Sequence, residues 1–267
     1  MQRRDFLAAS AATVAGATAI AANQSFAQST AAKGREYYEW RTYQINPMVN
    51  SQPVRDYLEK AALPALNRLG CTKVGVFTEL NKGDNGDVHM LVVYPSLDVF
   101  SAAATKLPAD RAFASAAAAY WQLPKSAAAY NRIESWLMIA FEGMPQLVPS
   151  PLAADNKPRM FELRIYESHS EAAGLKKIEM FNSGEIDVMR RAGMGPVFYG
   201  QTIIGGRMPN LTYLLSGENL DEHKKHWGAF GADPEWRRLK AIPEYADTAI
   251  VSGIRSKFLA PTAFSQI

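Results

Sequence analysis

The stretch that decides the fold occurs twice, as Tyr38-Glu39-Trp40-Arg41-Thr42-Tyr43 and as Phe161-Glu162-Leu163-Arg164-Ile165-Tyr166. In both copies Glu, Arg and Tyr alternate with other residues, which is the period-two pattern of a β-strand. The copies are 123 residues apart, and further identities keep that spacing: Arg68 and Arg191, Gly70 and Gly193, Leu97-Asp98 and Leu220-Asp221, Asp110 and Asp233. A constant offset over four segments indicates one half-length unit used twice.

Each unit reads as β-α-β-β-α-β. We predict strands near 37–45, 74–80, 88–94 and 133–141, and again near 160–168, 196–204, 210–216 and 249–258. Apolar residues at helical spacing predict helices over 53–69, 97–106 with 112–120, 172–192 and 220–241. Pro64 should kink the first helix and Gly70 should end it.

A βαββαβ unit forms a four-stranded antiparallel sheet with helices on one face, which leaves the other face bare. Because soluble proteins rarely expose so much apolar surface, we expect the two sheets to pack together as a barrel. The predicted class is α+β, with domains at 34–142 and 159–261. A Pro-rich linker over 143–158 should stay out of regular structure.

Strand side chains alternate between faces, so the Glu, Arg and Tyr of each set lie on one face of the strand and the residues between them lie on the other. Phe161, Leu163 and Ile165 suit the helix side, which would turn Glu162 and its partners toward the other sheet. The two sets would then meet at the interface between the copies.

The first residues predict export. Arg3-Arg4 precedes a weakly apolar, Ala-rich stretch that ends at Ser25-Phe26-Ala27, the pattern of a twin-arginine signal (1–27) cleaved after Ala27. The protein would be periplasmic or secreted, without a stable membrane anchor after cleavage. The mature chain would carry a net charge near +2, which is too little to indicate nucleic-acid binding. The single cysteine, Cys71, excludes an internal disulfide and corresponds to Met194 in the second copy, so we interpret it as a core residue.

Candidate site residues come from the repeated strands and from a segment of the second copy that the first copy lacks. His223, His226, Trp227 and Phe230 share one helical face, whereas the first copy is Ala-rich there. Histidines at i and i+3 can ligate a metal, but no third ligand is evident, and we predict neither a metal nor a cofactor. The ligand-binding candidates are Glu39, Arg41, Tyr43, Glu162, Arg164, Tyr166, His223, His226, Trp227 and Trp236. The competing interpretation is that the Glu-Arg pairs are structural and fix how the copies dock.

The second half resembles the NIPSNAP family. The resemblance rests on Phe161–Tyr166, Ala192-Gly193, the segment from His223 through Trp227 to Asp233-Pro234-Glu235-Trp236, and Phe258-Leu259-Ala260-Pro261. It covers residues 159–261, and the first half looks like a diverged copy that keeps Glu39, Arg41 and Tyr43. The resemblance implies two tandem ferredoxin-like domains packed sheet to sheet as a pseudo-dimeric α/β barrel.

The resemblance implies little about chemistry, and no Gly-rich phosphate loop or catalytic triad can be read from the spacing. Our leading hypothesis is an exported protein whose barrel encloses a small, partly apolar ligand, with a site nearer the second copy. The alternatives are a cofactor-independent monooxygenase or isomerase with a histidine base, and a non-catalytic interaction module. Whether the protein is an enzyme, and whether it is a monomer or a homo-oligomer, stay open at this point.

Overall fold

The computed structural model describes residues 34–46, 48–155 and 157–267, so the predicted export signal lies outside the described residues. Eight strands run along this part of the chain close to the predicted positions. They are β1 (Tyr37–Gln44), β2 (Val74–Glu79), β3 (Val88–Tyr94), β4 (Arg132–Ala140), β5 (Met160–Glu167), β6 (Pro196–Ile204), β7 (Asn210–Gly217) and β8 (Gly253–Pro261).

The helices lie between the strands in the predicted order. They are α1 (Gln52–Tyr57), α2 (Leu63–Arg68), α3 (Leu97–Ala109), α4 (Arg111–Trp121), α5 (Pro151–Ala154), α6 (Glu171–Met180), α7 (Ile186–Arg191), α8 (Leu220–Ala232), α9 (Pro234–Lys240) and α10 (Asp247–Ile250). Two predictions were wrong in detail. The short helix α5 interrupts the linker, and β8 begins four residues late because α10 occupies the start of the predicted strand. None of these described helices is long and apolar enough to cross a membrane.

The strands form one closed antiparallel barrel in the order β1-β3-β2-β8-β5-β7-β6-β4. The first four strands therefore lie together as β4-β1-β3-β2, and the last four as β8-β5-β7-β6. The two groups join edge to edge, through β2 with β8 and through β4 with β6. The outer strands of each group, β2 and β4 in the first and β8 and β6 in the second, are thus paired with each other.

The spacing of 123 residues reappears in the local structure. The long helix of each unit passes through a π-helical turn, at Leu58–Ala62 and at Phe181–Glu185. The helix after the third strand is capped by Ser96 in the first unit and by Asn219 in the second.

The repeated Arg, Gly and Asp residues have structural roles. Asp110 caps α4 and pairs with Arg68, and Asp233 caps α9 and pairs with Arg191. The repeated glycines 70 and 193 have φ of 91° and 77°, a backbone conformation that favours glycine. Much of the sequence repeat is therefore explained by helix ends and caps.

The core has three main layers, and their composition overturns the predicted faces. Tyr38, Trp40, Phe161, Leu163 and Ile165 lie inside the barrel, in one cluster with residues of both halves. The two Glu-Arg-Tyr sets lie on the outer face of the barrel, beneath the helices, with Tyr43 and Tyr166 in separate clusters.

The physical reason for the reversal is the closure of the barrel. The interior of an eight-stranded barrel is just wide enough for side chains to fill, so the more apolar face of each strand turns inward. The outer face is covered by helices, and polar side chains there bind the Glu carboxylates: Tyr94 and Ser135 from neighbouring strands in the first half, and Ser256 from β8 with His223 and Trp227 from α8 in the second.

Candidate functional site

A cavity of about 410 Å³ opens at the end of the barrel where β1 finishes. Five strands, β1, β3, β4, β5 and β8, contribute its walls, so both halves of the chain build it. The cavity is lined by Trp40, Thr42, Gln44, Asp87, His89, Glu134, Trp136, Leu163, Ile165, Arg255, Ser256 and Lys257. Its size is within the usual range for a small-molecule site.

Deep in the cavity lie three buried polar side chains from neighbouring strands. His89 and Trp40 are each 1 % exposed, and their rings lie 5.6 Å apart, centroid to centroid. Thr42 Oγ1 lies 3.0 Å from His89 Nδ1. Within the described part of the chain, His89 Nε2 and Trp40 Nε1 have no hydrogen-bond partner. Buried polar atoms are rarely left unpaired, and such exceptions call for an explanation.

The His89 imidazole is uncharged at neutral pH. Burial, with a smaller contribution from the charge of Lys257, lowers the pKa of His89 to about 3. A neutral imidazole carries one N–H and one lone pair, so the unpaired Nε2 is either a donor or an acceptor.

The rim of the cavity carries two acids and two bases, so its formal charge is balanced. Asp87 Oδ1 accepts a hydrogen bond from the backbone N–H of Ile45 at 3.0 Å, and Asp87 Oδ2 lies 3.9 Å from Lys257 Nζ. Lys257 also contacts Glu79. Arg255 Nε pairs with Glu167 at 2.8 Å, and Glu134 is the remaining acid.

Trp136 separates this cavity from an adjoining pocket of about 350 Å³ beneath the turn between β6 and β7. Trp136 is directly opposite Trp40 across the β1–β4 pair. A Cβ added at Gly205 would lie 2.0 Å from Trp136 Cδ1, so the position of Trp136 requires a glycine there.

Aromatic and aliphatic side chains close the cavity below Trp40. Phe77 stacks on Trp40 at 5.7 Å and meets Phe161 edge-on at 5.0 Å. Tyr38 packs on Phe198 at 4.8 Å, and Ile267 is fully buried in the same cluster. The site is therefore a funnel with a charged rim, a polar inner wall and an apolar floor.

The predicted residues of the second half come together outside the barrel, between the sheet and α8. Glu162 is 2 % exposed, and its carboxylate is within hydrogen-bond distance of His223 Nε2 at 2.7 Å and Ser256 Oγ at 2.7 Å. It also accepts from Arg164 at 2.8 Å and from Trp227 Nε1 at 2.9 Å. Burial opposes ionisation of Glu162, but these bonds outweigh it and lower its pKa to about 2.

Arg164 connects Glu162 to the aromatic side chains around it. It donates to Tyr166 Oη at 3.1 Å, and its guanidinium lies 4.6 Å from the centre of the Trp227 ring. Trp236 packs on Phe230 at 4.5 Å in the same layer. His226 lies at the side of this group, against Gly193.

The first half holds a simpler version of this group. Arg41 binds both carboxylate oxygens of Glu39, at 2.5 and 3.1 Å. Tyr94 and Ser135 also donate to Glu39, at 2.9 and 2.8 Å. Each Glu-Arg pair thus lies within its own half, and the interpretation that these pairs dock the two copies is wrong.

In the second half, Lys177 and Glu185 form a fully buried ion pair, and no pair of Lys or Arg with Asp or Glu among the described residues of the first half is buried to the same degree. Lys177 Nζ lies 3.2 Å from Glu185 Oε2, and both side chains are at most 2 % exposed. The ammonium also faces the rings of Tyr166, Phe181 and Trp236 at 5.2–5.7 Å. At the spacing of the repeat, the first half has Val54 and Ala62 in these two positions.

None of the ten predicted residues lines the barrel cavity, and a ligand-binding role for them stays a prediction. The structure gathers Glu162, Arg164, Tyr166, His223 and Trp227, with His226 and Trp236 beside them, and separates them from Glu39, Arg41 and Tyr43. Among the described residues, no three His, Cys, Asp or Glu side chains are placed to hold a metal ion.

The sequence did not reveal the roles of His89 and Trp40. His89 lies in β3, which is buried at every residue, so alternation does not distinguish its two faces. Trp40 shares its strand face with Thr42 and Gln44, so that face is less apolar than the face of Leu163 and Ile165 in the second copy. The signal that was available is the polar pair itself, since Thr42 and His89 are neighbours in the β1–β3 register.

Comparison with known proteins identifies relatives of both halves. The sequence profile of the NIPSNAP family matches residues 38–134 and 161–266, together more than half of the chain. No curated protein sequence matches.

Solved structures extend the comparison to the whole barrel. A candidate monooxygenase from Fusobacterium nucleatum has a TM-score of 0.52 at 8 % identity, over 85 % of this chain and 93 % of its own. A second one, from Lactobacillus acidophilus, has a TM-score of 0.53 at 10 % identity, over 85 % and 94 %. A NIPSNAP-like domain protein from Burkholderia xenovorans is 22 % identical, over 40 % of this chain and 88 % of its own, with a TM-score of 0.36. At these identities the first two similarities concern the fold alone.

Proposed function

The chain belongs to the NIPSNAP family, and we propose that it binds a small, partly apolar molecule in the mouth of its barrel. One observation carries the proposal. Two polar atoms, His89 Nε2 and Trp40 Nε1, are buried and unpaired among the described residues at a cavity large enough for a ligand. An unsatisfied buried donor or acceptor costs about 1–3 kcal/mol, which a ligand that pairs with it recovers.

The walls and the rim support the same proposal. Leu163, Ile165 and the two tryptophans supply apolar area, and a few polar groups converge at one end, which is the usual composition of a small-molecule site. The balanced rim attracts neither strong anions nor strong cations over a long range, so contacts inside the cavity decide the selectivity.

Native mass spectrometry of the mature protein, purified from the compartment where it accumulates, tests the proposal. We expect a bound molecule of a few hundred daltons in the wild type. Ile165→Trp, which fills the cavity, should lose that molecule. Leu175→Trp is the matched control, because Leu175 is on the surface and 55 % exposed. Equal occupancy in both variants, or no bound molecule in any of them, contradicts the proposal.

The second candidate function is an enzyme, specifically a cofactor-independent monooxygenase or isomerase. The observation that favours it is the neutral His89, which lines the cavity with an unpaired Nε2 while Thr42 Oγ1 lies within hydrogen-bond distance of its other nitrogen. Because a pKa of about 3 makes His89 a weak base, its role would be to orient the reacting group of a bound substrate by a hydrogen bond. His89→Gln should then abolish turnover of the identified ligand while leaving it bound, and an unchanged rate would refute the catalytic role.

We also infer that the halves are two tandem ferredoxin-like domains, at 34–142 and 159–261, which complete one barrel within a single chain. The equivalent strand orders, β4-β1-β3-β2 and β8-β5-β7-β6, support this, as do the π-helical turns at the same spacing. Since one chain supplies all eight strands, we propose that the barrel is complete in a monomer. Light scattering on the mature protein measures its molecular mass in solution, and we expect the mass of one chain.

We further propose that the protein is exported by the twin-arginine route, on the evidence of Arg3-Arg4 and the Ser25-Phe26-Ala27 site. The double variant Arg3→Lys, Arg4→Lys should retain the protein in the cytoplasm at full precursor length. Export of that variant at the wild-type rate would contradict the route. Export with cleavage at another residue would contradict the site.

A further inference from the structure

We infer that the ligand is a flat, uncharged ring compound with a hydroxyl group, and that this hydroxyl lies innermost, between Trp40 and His89. The inference rests on the proposed function, since it assumes that the cavity binds a molecule. It adds the chemical class of that molecule and its orientation.

The hydroxyl follows from the hydrogen bonds that the inner wall offers. Trp40 Nε1 can only donate, so the ligand must present an acceptor to it. His89 presents a donor or an acceptor at Nε2, depending on whether Thr42 Oγ1 donates to Nδ1 or accepts from it. A hydroxyl has one hydrogen and two lone pairs, so it satisfies both residues in either tautomer. A carbonyl or an ether oxygen satisfies both in one tautomer alone.

The two residues line the same cavity, and their rings are close, with centroids 5.6 Å apart. Both side chains are almost completely buried, so a ligand group that reaches them has left bulk water. At that depth a pair of satisfied hydrogen bonds has a large effect on selectivity, because the alternative is two unpaired polar groups.

The absence of charge on the ligand follows from the state of His89. The neutral imidazole supplies no positive charge, since its pKa is far below neutrality. Lys257 and Arg255 already pair with acids near the rim. An ionised carboxylate between Trp40 and His89 would thus be buried without a counter-ion, which is strongly unfavourable.

The flat shape follows from the walls. Trp40 and Trp136 are paired across β1 and β4, and Leu163 with Ile165 forms the opposite, aliphatic wall. Aromatic rings pack well against such walls in stacked or edge-on arrangements. A cavity of about 410 Å³ accommodates one or two fused rings.

Three probes of matched size test the class, by isothermal calorimetry on the mature protein at neutral pH. They are 2-naphthol, 2-methoxynaphthalene, which cannot donate, and 2-naphthoate, which is ionised. We expect 2-naphthol to bind about fivefold more tightly than the ether, because the hydroxyl can donate to His89 Nε2 and the ether cannot, and one hydrogen bond contributes on the order of 1 kcal/mol. The naphthoate should bind most weakly.

Two variants locate the preference. Trp40→Phe keeps an aromatic ring without the N–H, and His89→Leu removes the imidazole. His89→Leu should bring the affinities for 2-naphthol and the ether to within about twofold of each other, because it removes the acceptor for the hydroxyl hydrogen. Trp40→Phe should weaken both probes by a similar factor, because both oxygens accept from Trp40 Nε1. Trp121→Phe, at a surface tryptophan, should leave both affinities unchanged. Circular dichroism and melting curves establish that each variant is folded.

The outcomes separate this inference from the proposed function. Binding of the ether or the naphthoate as tightly as 2-naphthol overturns the hydroxyl class, while the barrel site stands. Tight binding of 2-naphthol that neither variant changes also overturns the class. If no probe binds, the molecule that native mass spectrometry finds in the protein tests the inference, and a molecule without a hydroxyl group overturns the hydroxyl class. A chain in which neither probes nor a native molecule bind has no barrel ligand, so both proposals then fail.

Discussion

Removal of the Lys177 charge should cost more stability than removal of the whole Lys177–Glu185 ion pair. Lys177→Met keeps most of the side-chain volume but leaves the Glu185 carboxylate fully buried without its partner. Breaking a buried pair in this way typically costs about 3–5 kcal/mol. Lys177 also faces three aromatic rings, and a desolvated cation–π contact contributes about 2 kcal/mol, so the upper part of that range applies.

The cost should depend on pH in a defined direction. Burial already raises the pKa of Glu185, although Lys177 opposes the shift, and loss of Lys177 raises it further. A carboxyl group with a raised pKa in the folded state binds a proton more readily there than in the unfolded state. Stability is therefore retained below the ordinary carboxyl pKa and is lost as the pH rises through the raised value. We expect a larger cost at pH 8 than at pH 5.

The assay is urea unfolding of the wild type, Lys177→Met and the double variant Lys177→Met, Glu185→Leu at both pH values. The double variant should recover most of the loss, because well-packed apolar residues often replace a buried ion pair at little cost. The first half is the natural precedent, with Val54 and Ala62 at the equivalent positions. A loss below about 1 kcal/mol in the single variant that is the same at both pH values would refute the reasoning.

Three further predictions concern other parts of the fold. Glu162→Gln should remove the part of the stability that the wild type loses between pH 4.5 and 2. The Glu162 carboxyl has a folded pKa of about 2, so it contributes stability above its ordinary pKa and loses that contribution as the pH falls. Acid titration followed by circular dichroism measures this, and an acid unfolding curve identical to that of the wild type contradicts it. Gly205→Ala should lower stability by about 1–3 kcal/mol, because the added methyl group displaces Trp136. Gly228→Ala is the control: its methyl group meets no neighbour within 4 Å on an exposed helix face, so it should be neutral or stabilising. Equal melting temperatures for the two variants would contradict the close packing of Trp136 on Gly205. Arg164→Ala should lower the melting temperature but leave ligand binding in the cavity intact, because Arg164 lies outside the barrel. If calorimetry shows that a folded Arg164→Ala variant has lost binding, the ligand site lies at the residues around Glu162 and Arg164 instead.

Several features were predictable because short-range patterns determine them. The eight strands, the paired helices and the buried Cys71 follow from alternation, helical spacing and comparison of the copies. The caps at Asp110 and Asp233 follow from the local chemistry of helix ends.

The candidate site was less predictable because it depends on contacts between distant segments. His89 meets Thr42 across 47 residues, and the cavity itself combines strands of both halves. No local sequence pattern identifies His89 or Thr42 as a residue of a site. Six of the ten candidate residues share the predicted strand faces, three lie on α8 and Trp236 lies on α9, but none of the ten lines the barrel cavity.

The sequence by itself determined the repeat, the order of the elements and which side chains share a strand face. It did not determine which face is inside, because alternation is the same whichever way the strand is turned. Only the closed barrel decided that. Its narrow interior takes the aromatic and aliphatic side chains, and the Glu-Arg pairs remain outside, where Ser135, Ser256, His223 and Tyr94 satisfy their hydrogen bonds.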